Sequence, residues 1–98
     1  MFVVMTKTFY DSDIKAQYMD LCKRSMDLFK AQPGLIGIRM HVSHDDTHTA
    51  TYFKWESKEN HEACMSNPDW GEFNQEFGSL MEAGKIRFEL NTYEVLDF

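Results

Sequence analysis

PGLIGIRMHVSHDDTHTATYFKWES, residues 33–57, holds two runs rich in β-branched and aromatic residues around the polar tip SHDDTH. Pro33-Gly34 stops whatever precedes it, and Leu35–Val42 and Thr49–Glu56 read as the two strands of a hairpin. Pairing centred on Asp45 and Asp46 sorts the side chains by the two-residue period of a strand. Ile36, Ile38, Met40, Val42, Thr49, Thr51, Phe53 and Trp55 then share one largely apolar face. Leu35, Gly37, Arg39, His41, Ala50, Tyr52 and Lys54 share the other, which is mixed.

On the N-terminal side, Phe2–Phe9 reads as a strand, and Asp11-Ser12-Asp13 offers side chains suited to cap a helix. A helix over 13–32 follows, because Ile14, Tyr18, Leu21, Cys22, Leu28 and Phe29 fall mostly on one face. On the C-terminal side, Ser57 caps a helix through Ser66, with Glu59 well placed against the helix dipole. Asn67-Pro68 starts a second helical piece, carrying Trp70, Phe73, Phe77, Leu80 and Met81 at helical spacing up to Gly84. Ile86, Phe88 and Leu90 alternate with Arg87 and Glu89 in a last strand. A bulge near Asn91 is expected there, since Tyr93 and Val95 shift phase.

The order β-α-β-β-α-β is the ferredoxin-like split arrangement, an α+β fold with a four-stranded antiparallel sheet and its helices on one face. All 98 residues read as one domain. The sheet's other face is left bare. With Leu35, Ala50 and Tyr52 on it, the economical cover is the same face of a second copy, in a two-fold homodimer.

Sixteen acidic against ten basic residues give a formal charge of −6. Nucleic acid is therefore a poor partner, because phosphate-backbone affinity needs clustered Lys and Arg; an anionic membrane surface is poor for the same reason. MFVVMTKTFY lacks the basic leader and long apolar core of a signal peptide, and no later run has membrane-spanning length, so a cytoplasmic location is expected. Cys22 and Cys64 match no zinc or redox spacing and read as free buried thiols. His44 and His48 with Asp45 and Asp46 read as a solvated turn, so no metal is expected.

Pro33-Gly34-Leu35 opening the second strand, Trp55-Glu56-Ser57 closing the third, Ser66-Asn67-Pro68 between the helical pieces and Trp70 just after them resemble the antibiotic biosynthesis monooxygenase superfamily of dimeric α+β barrels. The resemblance spans nearly the whole chain. It implies a homodimer and oxygenation of a small molecule without metal, flavin or heme. In such families a histidine often stands seven residues after the Ser of Trp-Glu-Ser, and here that position is Cys64. Against the heme-degrading subgroup, the expected tryptophan falls on Cys64, the histidine on Asn74 and the asparagine near Thr6 or Lys7. All three are missing, and with them the axial ligand for iron.

Cofactor-free oxygenation of an aromatic or quinol-type compound needs an apolar pocket and a partner that favours the phenolate. Trp55, Trp70, Phe73, Met40 and Phe53 are the candidate lining between sheet and helices, with Cys64 bordering it. Asn74 and Trp70 are the candidate catalytic groups. Arg39, His41 and Tyr52 form a second-face alternative that could take an anionic or carbonyl compound or lie in a dimer interface. His61 reads as a helix-surface residue or a partly buried neighbour of Trp55, with no role. The competing function is a non-catalytic or isomerase-like small-ligand binder on the same dimeric fold.

Overall fold

A computed structural model describes residues Met1–Phe98. Strand β1 (Phe2–Tyr10) leads through a 3-10 turn (Ser12–Ile14) into helix α1 (Lys15–Lys30). Strands β2 (Leu35–Val42) and β3 (His48–Trp55) form the hairpin. Helix α2 (Lys58–Met65), a 3-10 turn (Pro68–Trp70), helix α3 (Gly71–Glu82) and strand β4 (Ile86–Glu94) complete the chain. The sheet is antiparallel, in the order β2-β3-β1-β4. This is the ferredoxin-like α+β arrangement, with the helices over one face.

Local chemistry explains the element ends. Ser57 Oγ accepts a hydrogen bond from the Asn60 amide at 3.2 Å, and Asn67 Oδ1 accepts one from the Asp69 amide at 2.9 Å; each satisfies a backbone donor that a helix start leaves free. Asp11, at the expected cap, makes no such bond, and the chain enters α1 through the 3-10 turn instead. Gly34 has φ of +84°, and a Cβ there would collide with the Asn60 side chain, so only glycine lets β2 begin beneath α2.

Hairpin pairing follows the Asp45-Asp46 centre from Gly37↔Lys54 to Val42↔Thr49. Below Gly37 the register shifts and Leu35 pairs with Trp55, leaving Ile36 as the extra residue of a bulge. This corrects two face assignments. Leu35 packs on the core under the helices, and Ile36 is half exposed. The bulge expected near Asn91 is absent: β4 pairs with β1 without interruption from Ile86↔Tyr10 to Glu94↔Phe2. Tyr93 is out of phase with Ile86, Phe88 and Leu90 because it points to the outer face.

The core has two parts. Tyr10, Tyr18, Leu21, Cys22, Leu80 and Ile86 pack at the hairpin-tip end. Val4, Phe53, Trp55, Cys64 and Trp70 pack at the end where β3 hands over to α2. Both cysteines are free and buried. No helix is long and apolar enough to cross a membrane.

Candidate active site between the helices and the sheet

A cavity of about 270 Å³ lies between the two parts of the core, walled by the inner sheet face and the helices. Its wall includes a continuous run of aromatic rings. Phe53 lies 4.8 Å from Phe29, Phe29 is 4.5 Å from Trp70, and Trp70 is 5.3 Å from Phe73. Phe73 is then 5.5 Å from Phe77, which meets Phe88 edge-on at 5.5 Å. These separations are those of favourable tilted, stacked and edge-to-face pairs, so the wall is held by ring against ring. Every ring in the run lines the cavity.

The fold brings these side chains together by three regular devices. Alternation along β3 turns Thr51, Phe53 and Trp55 to one side, and Met40 reaches that side from β2 opposite Thr51. The Asn67-Pro68 turn sets Trp70 into the core at the head of α3. Phe73, Asn74 and Phe77 follow within the next two turns of helix. On α1, Tyr18, Cys22, Ser25 and Phe29 give the stripe that closes the opposite wall.

Trp55, Trp70, Phe53, Phe73, Met40 and Asn74 all line this cavity. Cys64 does not. Its side chain, 2% exposed, is packed among Val4, Phe53, Trp55 and Trp70 behind the lining, which corrects the expectation that it borders the space. Burial pushes its thiol pKa up, opposed only in part by the Trp70 indole N–H; that contact is too loose to count as a hydrogen bond, and Trp70 Nε1 has no partner. Cys22 touches the cavity, and burial raises its pKa too. Both are thiols rather than thiolates at neutral pH.

Arg39, His41 and Tyr52 lie on the opposite side of the sheet. Arg39 sits across from Tyr52 in the ladder, and His41 Nδ1 is 3.1 Å from the Ala50 carbonyl oxygen. A separate outer-face hollow of about 170 Å³ is lined by Met5, Lys7, Glu89, Asn91 and Tyr93, none of them from that trio. At the hairpin tip, Asp46 accepts from the Tyr10 hydroxyl at 2.6 Å and pairs with Lys15, which together hold its carboxyl below the usual range. Asp45 is occupied by Thr47. No three His, Cys, Asp or Glu side chains come together in a way that could hold a metal ion.

At one end of the cavity buried hydroxyls are tied into the protein. Tyr18 Oη and Thr49 Oγ1 share a buried hydrogen bond of 2.7 Å, and Ser25 Oγ donates to the Cys22 carbonyl at 2.6 Å. Burial is the main reason the Tyr18 phenol is held far above its ordinary pKa, so it stays neutral. At the other end stands His61, given no role by its sequence context, which lines the cavity and is 9% exposed. Its ring lies 5.5 Å from Phe2 and 5.8 Å from Trp55, and burial lowers its pKa. The available signal was spacing, because His61 stands three residues before the buried Cys64 and so on nearly the same side of α2.

Several solved structures share this fold. Rv0793 from Mycobacterium tuberculosis aligns over 100% of this chain and 98% of its own, with a TM-score of 0.82 at 13% identity. SnoaB, described as a cofactor-independent oxygenase from Streptomyces nogalater, aligns over 99% and 95%, with a TM-score of 0.79 at 14% identity. A conserved protein from Methanosarcina mazei Go1 aligns over 95% and 90%, with a TM-score of 0.80 at 17% identity. No curated protein matches the sequence. Residues 1–76 match the family described as antibiotic biosynthesis monooxygenase, and with most of its length so matched the chain belongs to that family.

Proposed function

We propose that this protein is a cofactor-independent monooxygenase acting on a small aromatic or quinol-type compound bound between the helices and the sheet. The observation that carries the reading is the aromatic run from Phe53 to Phe88, which encircles the cavity from the sheet across α1 and α3 and back to the sheet and gives a lining suited to a flat ring system. Membership of the family and likeness in fold to SnoaB, itself a cofactor-independent oxygenase, support it. At about 270 Å³ the space is just under the ~300–1,000 Å³ of drug-sized ligand sites, which suits two or three fused rings.

In the proposed reaction a ring CH2 made acidic by a neighbouring carbonyl loses a proton to water, the carbanion adds dioxygen at carbon, and the peroxide takes a proton back from water. The hydroperoxide then expels water to leave C=O. The substrate supplies all four electrons, one oxygen atom entering the product and the other leaving as water. The protein's part is placement and electrostatics: Trp70 and Phe73 hold the ring, and the Asn74 amide is offered to a substrate oxygen. Oxygen uptake by metal-free protein on a panel of hydroquinones and anthrone-type ketones tests this. With the anthrone-type ketones, uptake matched mole for mole by quinone formation without release of hydrogen peroxide is expected; binding without uptake, or uptake returned as peroxide, would overturn the oxygenase reading.

One observation favours the alternative, a non-catalytic or isomerase-like binder. No carboxylate lines the cavity, and its titratable groups, Tyr18, Cys22 and His61, are all held in their neutral forms by burial. In either case we propose a homodimer built through the outer sheet face, where Met5 is exposed and Tyr52 half-buried. Sedimentation should give a dimer. Tyr52→Ala should weaken it by about 2 kcal/mol, as truncating a central interface aromatic commonly does.

A further inference from the structure

We propose that His61 is a ligand-binding residue of this cavity, presenting its Nε2–H to a carbonyl or phenolate oxygen of a bound aromatic compound. The inference rests on the cavity being a ligand site and goes beyond it by naming the group that fixes the ligand's oxygen.

His61 is more than nine-tenths buried, yet its ring is not tied into the protein by any side-chain hydrogen bond. Nδ1 is closed off from solvent and has no partner. A structural histidine at such a site would be bonded, since a buried polar atom left alone costs about 1–3 kcal/mol. The two nitrogens are therefore unequal. Nδ1 is sealed in by protein, whereas Nε2 is not among the sealed atoms and belongs to a ring that lines the cavity.

The tautomer follows from the same inequality. A proton on Nδ1 would be a buried donor without an acceptor, a rarer and costlier defect than an idle lone pair. The proton belongs on Nε2, where a ligand oxygen can accept it. Charging the ring would force a proton onto Nδ1 as well, so His61 serves as a neutral donor rather than as a base. Its surroundings agree: Phe2 of β1 and Trp55 of β3 bring no charge to the ring, and the one carboxylate acting on it is the exposed Glu62 of its own helix, which also pairs with Lys58 at 3.7 Å. Burial is the stronger influence and keeps the ring neutral.

The arrangement has a signature that a structural histidine lacks. Removing an unsatisfied polar group should leave stability unchanged or raised while ligand binding falls. The probe is 2-hydroxy-1,4-naphthoquinone, a flat two-ring compound with carbonyl and phenolate-like oxygens, titrated by fluorescence into wild type, His61→Leu and His61→Gln. His61→Leu should bind about tenfold more weakly, the loss of one hydrogen bond, with an equal or higher melting temperature. His61→Gln, which keeps an N–H near the Nε2 position, should recover most of the affinity. Ring nitrogen NMR of the free wild-type protein should show the Nε2–H tautomer. Equal binding by wild type and His61→Leu, or an Nδ1–H tautomer, would overturn the assignment of His61 alone. Failure of the wild type to bind the probe while the ring still shows Nε2–H would instead overturn the cavity as the ligand site, and the role of His61 with it.

Discussion

The two ends of the cavity are built from the same kinds of residue and treat them differently. At the hairpin-tip end the buried hydroxyls of Tyr10, Tyr18 and Ser25 are bonded, to Asp46, to Thr49 and to the Cys22 carbonyl. At the α2 end two buried nitrogens, His61 Nδ1 and Trp70 Nε1, have no partner. An unmade hydrogen bond in low dielectric is costly, and a fold under no other demand would fill those places with apolar rings. The bonded end closes the structure. The unbonded end leaves the His61 ring free of any tie to the protein, with Nε2 as the nitrogen left for a ligand.

Filling the packed layer behind the cavity should have the largest effect. Cys64 sits in a full cluster, so Cys64→Trp should destabilise by about 3 kcal/mol, the upper part of the range for overpacking, in urea unfolding. A neutral result would mean that Cys64 borders open space after all. At the bonded end, Tyr18→Phe should cost about 2 kcal/mol, because it strands the Thr49 hydroxyl, itself 1% exposed.

The two ends should also answer to opposite ends of the pH scale. Burial and the bond to Asp46 raise the Tyr10 phenol to about 12, so its contribution is whole below its ordinary value of 10.0 and is lost as pH rises through about 12. His61 is depressed below 6.5. The unfolded chain binds the proton more readily, so stability falls as pH drops below about 6.5, and that part of the fall should vanish in His61→Leu. Urea midpoints across pH, for wild type and variant, check both. The smallest effect is expected on the surface. Arg24 bridges α1 to Glu76 on α3 at 3.0 Å, but all these groups are solvated, and Arg24→Ala should leave the urea midpoint almost unchanged.

The hairpin and the caps at Ser57 and Asn67 were legible because strand alternation and turn chemistry leave marks within a few residues. The bulge at Ile36 was not. Leu35-Ile36-Gly37-Ile38 is apolar or glycine throughout, so nothing in it says which residue is the extra one. The same limit hid the true relation of Cys64 and His61. KENHEACM reads as a polar helix ending in three apolar residues, Ala63, Cys64 and Met65, and which side chain meets a cavity depends on how α2 is rotated against β3. That rotation comes from tertiary packing around Trp55, which leaves no local pattern.

A crystal structure of the protein with 2-hydroxy-1,4-naphthoquinone bound tests the central claim most directly. The ring system should lie in the cavity against Trp70 and Phe73, with one oxygen within hydrogen-bonding distance of His61 Nε2 and the Tyr18–Thr49 bond intact. A ligand seated instead on the outer sheet face, beside Arg39, His41 and Tyr52, or a cavity left empty at saturating concentration, would contradict it.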